Sequence, residues 1–414
     1  MKKIILLILF VSLAAIHVAS NIEAQEPTIK AFTNLRLIDG TNRAPISNAT
    51  ILVRDGRIVT AGPASSVTIP PGAQRIALDG KSVIPGLINA HGHVNNPERD
   101  LKTYAAYGVT TVFSLGGENA SHIAARDAQS TASLNRTRIF AAGPVLAPKT
   151  EAEAREMVAK NQAMKVDLIK IRVDDNLGTT QKMAPELYRA VIDESHKRGL
   201  RTAVHLFYLS DAKAVLDAGA DFIAHSVRDT DISADVIGTL KSRNVCYSPT
   251  LMREVSTFVY DSTPEFFSDP LFLKYSDAQQ IARLKEPDPN AARNNATGQR
   301  YKIALEVASK NLKKASDSGV TIAMGTDTGP AGRFQGYFEL MELELMAKAG
   351  MEPRQILASA TIDAARCWKV DKDLGTLEAG KWADFIALDA DPLANISNTR
   401  KISDVFIAGN RVAR

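Results

Sequence analysis

The residues best suited to chemistry in this sequence are four histidines, one lysine and one aspartate, and all belong to short apolar segments. Two of the histidines form a His-Gly-His triplet in Val83-Ile-Pro-Gly-Leu-Ile-Asn-Ala-His-Gly-His-Val94, and the lysine lies in Leu168-Ile-Lys-Ile-Arg-Val173. Apolar runs of this length are typical of buried strands. The six candidates are His91, His93, Lys170, His205, His225 and Asp327.

Imidazole and carboxylate groups at this density are typical ligands of a divalent metal ion. Side chains two positions apart on a strand share a face, so His91 and His93 can point at the same ion. The donor set favours zinc, with manganese, iron and cobalt as alternatives. One histidine at a strand end is usually a structural residue, but four of them together indicate a metal centre. The sequence places His122 and His196 in helical contexts, and we expect both at the surface.

Short apolar runs alternate with amphipathic stretches such as Pro185–Gly199 over most of the chain. This alternation predicts an α/β fold, a (β/α)8 TIM-type barrel over residues 84–375, in which the C-terminal strand ends carry the active site. The eight predicted strands are Val83–Ala90, Val109–Leu115, Arg138–Ala142, Leu168–Val173, Arg201–Leu206, Phe222–Val227, Cys246–Leu251 and Val320–Gly325.

The two ends of the chain have a different character. Residues 25–83 are rich in short β signals separated by turns, which predicts a small antiparallel sheet. The tail returns to β character, so we expect residues 376–414 to pair with the first segment in a small discontinuous β-sandwich domain. Between the seventh and eighth strands, Arg253 to Arg300 is predicted to be a long irregular connection, a candidate substrate lid.

Lys2 and Lys3 precede an apolar run from Ile4 to Ile16, the pattern of a secretory signal peptide over residues 1–24. An uncleaved N-terminal anchor is the alternative. The prediction is an exported protein, periplasmic or secreted in a bacterium, with no stable membrane contact after cleavage. For the two cysteines, Cys246 and Cys367, we expect buried free thiols, with a single disulfide as the alternative.

The composition of the 414 residues, with 45% hydrophobic and 23% charged residues, suits one large globular domain with room for a smaller one. The formal net charge is +4, and basic residues are mixed with acidic ones along the chain. This pattern is typical of a solvated surface and argues against a nucleic-acid groove. A small-molecule substrate is the expected partner, and the sequence is compatible with a homo-oligomer.

Taken together, these features resemble the metal-dependent amidohydrolase superfamily, over nearly the whole mature chain. The motifs that carry the resemblance are Pro85-Gly-Leu-Ile-Asn-Ala-His-Gly-His93, Gly325-Thr-Asp327 and Leu374-Gly-Thr-Leu-Glu-Ala-Gly-Lys-Trp-Ala-Asp384. The chain is most similar to the branch that contains prolidase-like dipeptidases with two zinc ions. The resemblance implies an enzyme that uses a metal-bridging hydroxide to cleave a carbon–nitrogen bond in a dipeptide or an N-acyl amino acid.

The resemblance also implies a role for each candidate. His91, His93 and Asp327 would hold the more buried metal ion, and His205 and His225 the more exposed one. Lys170, carboxylated by carbon dioxide, would bridge the two ions, because a carbamate presents anionic oxygens where an ammonium group would be repelled. Asp327 would act first as base and then as acid.

Lys170 has an alternative explanation, since a structural lysine could pair with Asp174 or Asp175. Substrate recognition also departs from the family pattern. Relatives carry a histidine in the loop after the third strand, whereas Gly143–Thr150 has none.

Three further residues are candidates for contacts with the substrate. Tyr208, three residues after His205, could donate to a developing oxyanion or simply pack. Arg228 and Arg253 are candidates for binding a substrate carboxylate. A cyclic amide hydrolase or deaminase, a lactonase with the same centre, and a non-catalytic exported binding protein are the alternatives.

Overall fold

The computed structural model describes residues 29–41, 43–286 and 291–414, without the side chains of residues 291–294. The predicted signal peptide, residues 1–24, lies outside the described residues. Among the described helices, none is both long enough and apolar enough to cross a membrane.

The strands divide into a sheet built from the two ends of the chain and two parallel sheets in between. In chain order the strands are β1 (Ile29–Leu37), β2 (Ile46–Arg54), β3 (Arg57–Pro63), β4 (Gln74–Ala77), β5 (Ser82–Pro85), β6 (Leu87–Gly92), β7 (Val109–Ser114), β8 (Arg138–Ala141), β9 (Leu168–Arg172), β10 (Arg201–His205), β11 (Phe222–Ile223), β12 (Cys246–Tyr247), β13 (Phe385–Leu388), β14 (Ile402–Ile407) and β15 (Asn410–Arg411).

Helices follow most strands of the central part. They are α1 (Pro97–Ala106), α2 (Ala120–Asp127), α3 (Glu151–Ala163), α4 (Pro185–Lys197), α5 (Leu209–Asp217), α6 (Ala234–Ser242), α7 (Leu251–Val255), α8 (Pro270–Tyr275), α9 (Ala278–Leu284), α10 (Ala291–Asp317), α11 (Tyr337–Lys348), α12 (Pro353–Ser359) and α13 (Ile362–Cys367). The α4 boundaries follow local chemistry, because proline is favoured at the first helical position and Gly199 follows the helix with φ +71°.

The N- and C-terminal strands form one mixed sheet in the order β15-β14-β13-β5-β1-β2-β3, with β4 paired to β1. Tail strand β13 pairs antiparallel with β5, and β1 pairs parallel with both β4 and β5. The tail therefore joins the N-terminal strands as predicted, in a mixed rather than an antiparallel arrangement. The sandwich arrangement and the domain bounds at 25–83, 84–375 and 376–414 stay predictions.

The central strands form two parallel sheets, β6-β7-β8 and β9-β10-β11-β12. The predicted α/β architecture with parallel strands is confirmed, but the regular pairing of the described residues does not form one closed sheet. Single bridges connect Leu146 with Ile171 and Tyr247 with Ile322. The eighth predicted strand makes only such limited contacts, because its backbone bonds are shared among several neighbours: Ala90 N donates to Met324 O at 2.8 Å.

One apolar cluster contains residues from all of these strands and from α13. Trp368 stacks on Phe113 and Phe222, with ring centroids 5.1 and 4.5 Å apart. Aromatic pairs at such distances add to the free energy of burial. The strand ends that carry the candidate ligands therefore lie directly above a packed apolar core.

Two predictions about the barrel segments were wrong. Cys246 and Cys367 are not free thiols but form a disulfide between β12 and the end of α13, across 121 residues of sequence. The connection from Arg253 to Arg300 is not irregular, since it contains α7, α8, α9 and the start of α10. Its aromatic side chains pack around Phe272, which is fully buried, so apolar burial orders this segment.

Candidate metal centre

The six predicted ligands lie on or just beyond neighbouring strand ends. His91 lies within β6 and His93 one residue after it, while Lys170 lies within β9 and His205 ends β10. Lys170 and His205 occupy the same faces as Leu168 and Ala203, which lie two residues earlier and belong to the central core cluster. His225 follows β11, and Asp327 follows the eighth apolar run.

Two glycines allow the Asp327 loop to approach the histidine pair. A Cβ atom at Gly325 would lie 2.7 Å from the His91 Cβ, and one at Gly329 would lie 2.4 Å from the His93 backbone oxygen. Neither distance leaves room for a side chain. The loop that carries Asp327 can therefore lie directly against His91 and His93.

Five of the six predicted ligands are in direct contact. Asp327 Oδ1 is 2.9 Å from His93 Nε2 and 3.4 Å from His91 Nε2, and Lys170 Nζ is 3.2 Å from His91 Nε2. The His91 and His225 ring centroids are 4.7 Å apart. Within the described part of the chain, His91, His225 and Asp327 place possible ligand atoms within 4.8 Å of one another.

His205, the sixth, lies beside His225, with ring centroids 4.1 Å apart. Its Nε2 atom is 3.0 Å from Asp174 Oδ2. The structure thus brings all six predicted residues to one place.

Three of the histidines have one ring nitrogen close to an outer group. His93 Nδ1 lies 3.2 Å from Gly116 O, and His225 Nδ1 lies 2.6 Å from Thr250 Oγ1. Asp174 contacts His205 as described above, and outer groups of this kind orient histidines that bind metals. Among the described residues, His225 Nε2, His91 Nδ1 and His205 Nε2 are buried without a hydrogen-bond partner, the last of these although Asp174 Oδ2 lies 3.0 Å away.

Burial makes these side chains suitable metal ligands. It lowers the pKa of His91 and His225 well below the ordinary value and lowers the pKa of His205 to about 3, so all three are neutral at physiological pH. A neutral imidazole is the form that binds metal. The buried, unpartnered nitrogens and the nearby carboxylate fit a divalent metal ion.

Lys170 is also deeply buried, with 4% of the residue exposed. Burial lowers the pKa of its amine to about 8, although the Asp327 and Glu118 carboxylates oppose this shift. Lys170 forms no direct ion pair with Asp174 or Asp175 among the described residues, so the predicted alternative was wrong. Arg172 Nε donates to Asp174 at 2.9 Å, and the Tyr208 hydroxyl donates to Asp175 at 2.9 Å.

Asp327 is held from both sides. Its second oxygen, Oδ2, accepts a short hydrogen bond from Arg333 Nη1, so Oδ1 is the oxygen that faces the histidines. Although burial opposes it, the Arg333 guanidinium and the two imidazoles hold the pKa of Asp327 well below its ordinary value. The residue has φ +60°, a strained conformation for a non-glycine residue that costs about 1–3 kcal/mol.

The sequence did not indicate Arg333 as part of this site, and it indicated Asp174 only as a possible partner of Lys170 and not of His205. Arg333 lies in a loop six residues after Asp327, and only its proximity to Asp327 in sequence could have suggested the contact. His122 was also predicted wrongly, because it is buried rather than exposed. Its Nε2 atom lies 2.8 Å from Val94 O, which ties α2 to the chain beyond His93.

Tyr208 lies at the start of α5, and its hydroxyl donates to Asp175 while the Lys182 ammonium lies 4.0 Å from its ring centroid. Burial and the Asp175 contact raise the pKa of Tyr208 to about 12. The hydroxyl proton is therefore engaged with a carboxylate in this conformation, and its role toward an oxyanion stays a prediction.

Arg228 and Arg253 lie in a buried cluster, where surface positions would have been the ordinary expectation. Arg228 Nε is 3.0 Å and Arg253 Nη1 is 3.1 Å from the two oxygens of Glu254. Arg253 Nη2 donates to the Tyr301 hydroxyl at 3.0 Å. One carboxylate thus faces two guanidinium groups, although Arg228 Nε, Arg228 Nη2, Arg253 Nε and Glu254 Oε1 have no hydrogen-bond partner among the described residues.

This cluster borders His205 and His225. Arg228 Nη1 donates to Leu206 O and Ser226 O, the residues that follow His205 and His225. The Arg228 guanidinium therefore lies close to two of the candidate metal ligands.

Comparison with known proteins agrees with this geometry. A family model described as "Amidohydrolase family" matches residues 82–412. By sequence, the chain is similar to an imidazolonepropionase from Streptomyces coelicolor, at 22% identity over 374 residues, covering 83% of this chain and 86% of that protein.

Solved structures give the same fold. The chain is similar to a protein described as a prolidase from Bifidobacterium longum, with TM-score 0.76 and 26% identity, covering 94% of this chain and 95% of that one. It is also similar to a Xaa-Pro dipeptidase with bound methionine, with TM-score 0.75 and 22% identity, covering 94% and 100%. The chain therefore belongs to the amidohydrolase family and is a hydrolase that acts on carbon–nitrogen bonds.

Proposed function

We propose that this protein is a binuclear metal hydrolase that cleaves the amide bond of a dipeptide or an N-acyl amino acid. The observation that carries the proposal is the position of Lys170, whose Nζ atom lies 3.2 Å from His91 Nε2 inside a group of neutral histidines. A buried amine with a lowered pKa can react with carbon dioxide in its neutral form. Carboxylated Lys170 would then bridge two ions, with zinc as the expected metal.

In this proposal His91, His93 and Asp327 hold one ion, and His205 and His225 hold the other. When bound, two divalent ions would supply an activated water nucleophile and polarise the scissile carbonyl. Asp327 Oδ1 would accept the proton that this water loses and would deliver it to the leaving nitrogen. Arg333 supports this role by holding Oδ2, which keeps Oδ1 turned toward the histidines.

The pair Arg228 and Arg253 supports a substrate that carries a carboxylate. Two guanidiniums facing one Glu254 carboxylate leave an excess positive charge in a buried place. A substrate carboxylate would supply the missing acceptor for Arg228 Nη2, and charge-assisted hydrogen bonds of this type are among the strong ones. The free carboxylate of a dipeptide or N-acyl amino acid fits this cluster.

The main alternative is a cyclic amide hydrolase, a deaminase or a lactonase that uses the same centre. The match to an imidazolonepropionase, a protein whose name specifies an imidazolone ring, favours a heterocyclic substrate over a lactone. A non-catalytic exported binding protein is a weaker alternative, because a binder has no need of Asp327 beside the ligand set.

We also propose that the two parallel sheets are arcs of one (β/α)8 barrel and that the protein is exported. Support for the barrel comes from the core cluster that all central strands share and from the bridges at Leu146 and Tyr247. Support for export comes from the predicted signal peptide and from the Cys246–Cys367 disulfide, since disulfides persist in oxidising compartments.

The test is a hydrolysis screen with zinc-loaded protein against dipeptides, N-acyl amino acids, cyclic amides and lactones. Each dipeptide and N-acyl amino acid is paired with its C-terminal amide, which keeps the shape and removes the charge. We expect kcat/KM to fall by at least ~30-fold for the amides, the equivalent of the about 2 kcal/mol or more that a buried charge pair provides. Arg253→Gln should remove most of that preference.

Equal turnover of the acids and their amides would contradict the carboxylate assignment while leaving the hydrolase intact. Turnover confined to cyclic amides or lactones would replace the proposed substrate class. No turnover of any class by fully loaded protein would favour the binding protein.

A further inference from the structure

Glu339, on α11, is a fully buried carboxylate beside the metal centre. Its Oε1 atom accepts hydrogen bonds from Asn89 Nδ2 at 2.6 Å, Thr326 Oγ1 at 2.7 Å and Thr328 Oγ1 at 2.6 Å. Its Oε2 atom accepts from Gly336 N, at the start of its own helix, at 2.6 Å. One side chain thus collects three side-chain donors from two separate segments of the chain.

Each of those donors is a close neighbour of a candidate ligand. Asn89 precedes His91 by two residues, and its Oδ1 atom accepts from His91 N at 3.0 Å. Thr326 and Thr328 lie immediately before and after Asp327. Glu339 therefore connects the β6 end to both sides of the Asp327 loop.

The backbone around Asp327 completes the connection. Asp327 N donates to His91 O at 2.7 Å, and His93 N donates to Thr328 O at 2.7 Å. Asp327 has φ +60°, which a non-glycine residue keeps only when its surroundings enforce it. Thr326 and Thr328 flank Asp327 in the chain, and Glu339 accepts hydrogen bonds from both of their hydroxyl groups.

We propose that Glu339 is a positioning residue that fixes His91, His93 and Asp327 in the geometry needed to bind the more buried metal ion, an inference that rests on the proposed metal centre. Glu339 acts through Asn89 and the two threonines and touches neither the metal nor the substrate. A glutamine would keep only one of the two acceptor oxygens, so its NH2 group would face either the three side-chain donors or Gly336 N, and the Asp327 loop would be free to relax. The buried ion should then bind more weakly.

The test compares metal binding by wild type and Glu339→Gln, starting from metal-free protein and titrating with zinc. We expect one of the two ions to bind about 10–100-fold more weakly in Glu339→Gln, the range seen when outer partners of metal ligands are removed, with the other ion nearly unchanged. Glu342→Gln is the matched control for the ion held by His91, His93 and Asp327, because its partners follow Thr250, which contacts His225 in the other half of the centre. Glu342 lies on the same helix, is equally buried, and accepts only from Leu251 N and Met252 N at 2.8 and 2.7 Å among the described residues.

Thermal unfolding separates positioning from a purely structural role. A structural carboxylate would lower the Tm of both variants and leave both zinc affinities at the wild-type value, and that result would overturn the proposal. If Glu339→Gln does not fold, Thr328→Val and Thr328→Ser replace it, because valine keeps the volume and serine keeps the hydroxyl. Weaker binding in Thr328→Val but not in Thr328→Ser supports the proposal, and equal binding in both overturns it.

Failure of the binuclear proposal would look different. Wild-type protein would then bind a single ion, and the same variants would still show whether Glu339 controls its affinity. Two wild-type ions with unchanged affinities in Glu339→Gln would overturn the inference alone.

Discussion

Lys170 Nζ and His91 Nε2 lie 3.2 Å apart in the interior of the protein, where two protonated groups could not coexist at that distance. Burial lowers the pKa of both side chains, so the imidazole is neutral and the amine is near the midpoint of its titration at about pH 8. The pair is thus poised for chemistry that consumes a neutral amine. This relationship is the basis of the proposed bridging carbamate.

The first prediction concerns metal uptake by the metal-free protein. The neutral amine of Lys170 adds to carbon dioxide and loses a proton, and the amine is neutral only above its pKa of about 8. Zinc uptake should therefore be faster with added bicarbonate, and at one fixed concentration of dissolved carbon dioxide it should be faster at about pH 9 than at about pH 7. The measurement is zinc uptake followed with a coloured chelator. Lys170→Arg should show no bicarbonate effect, and a wild-type rate indifferent to bicarbonate would contradict the carbamate.

The second prediction separates two neighbouring carboxylates. Asp174 contacts His205 Nε2 at 3.0 Å, whereas Asp175 accepts from the Tyr208 hydroxyl. Asp174→Asn should weaken the ion held by His205 and His225 by about 10–100-fold, because the outer carboxylate orients the imidazole. Zinc titration of both variants measures this, and Asp175→Asn should bind like wild type. Equal losses in the two variants would mean that general charge, and not the orientation of His205, controls the site.

The third prediction concerns the disulfide. Closing a loop of 121 residues restricts the unfolded chain, so Cys246→Ser with Cys367→Ser should lower the free energy of unfolding by about 2–5 kcal/mol. Denaturant unfolding with and without a reductant measures the effect. The reductant should destabilise wild type and leave the double variant unchanged. If the reductant left the free energy of unfolding of the wild-type protein unchanged, the disulfide would not form in solution.

The fourth prediction tests the link between the terminal sheet and the β8 strand. Arg138 and Asp384 form a buried pair, with Nε 2.6 Å from Oδ2, and Arg138 lies over the Trp382 ring. Asp384→Ala leaves a buried guanidinium unpaired and should cost about 3–5 kcal/mol in unfolding free energy.

Arg57 provides the control for this pair, since it lies over the same Trp382 ring but forms an exposed ion pair with Asp373. Asp373→Ala should cost no more than about 1 kcal/mol. Similar losses for the two variants in denaturant unfolding would show that the buried pair adds nothing beyond a surface contact.

Local sequence patterns were enough to predict which side chains lie together at the candidate metal centre. His91, His93, His205 and His225 each follow an apolar run, and that relation is visible within ten residues of sequence. The same applies to Lys170, whose apolar segment predicted a buried position. Strand periodicity places these side chains before any tertiary contact is known.

Contacts between distant segments were not predictable in this way. The Cys246–Cys367 bond requires β12 and α13 to meet, and the Glu339 network requires α11 to pack against β6. Helical order between Arg253 and Arg300 also depends on tertiary packing, because it buries Phe272 against residues such as Phe334. The sequence contained one unused signal: Glu339 and Glu342 lie three residues apart in an apolar helix, on one face.

The number of metal ions that Lys170 helps to hold is the most direct measure of a binuclear centre. Metal analysis of purified wild type and Lys170→Ala, both dialysed against the same zinc buffer, measures it. The prediction is about two zinc ions per wild-type chain and about one or fewer in the variant, which lacks the bridge. Wild-type protein with no more than about one ion, and the same content in Lys170→Ala, would contradict the binuclear centre.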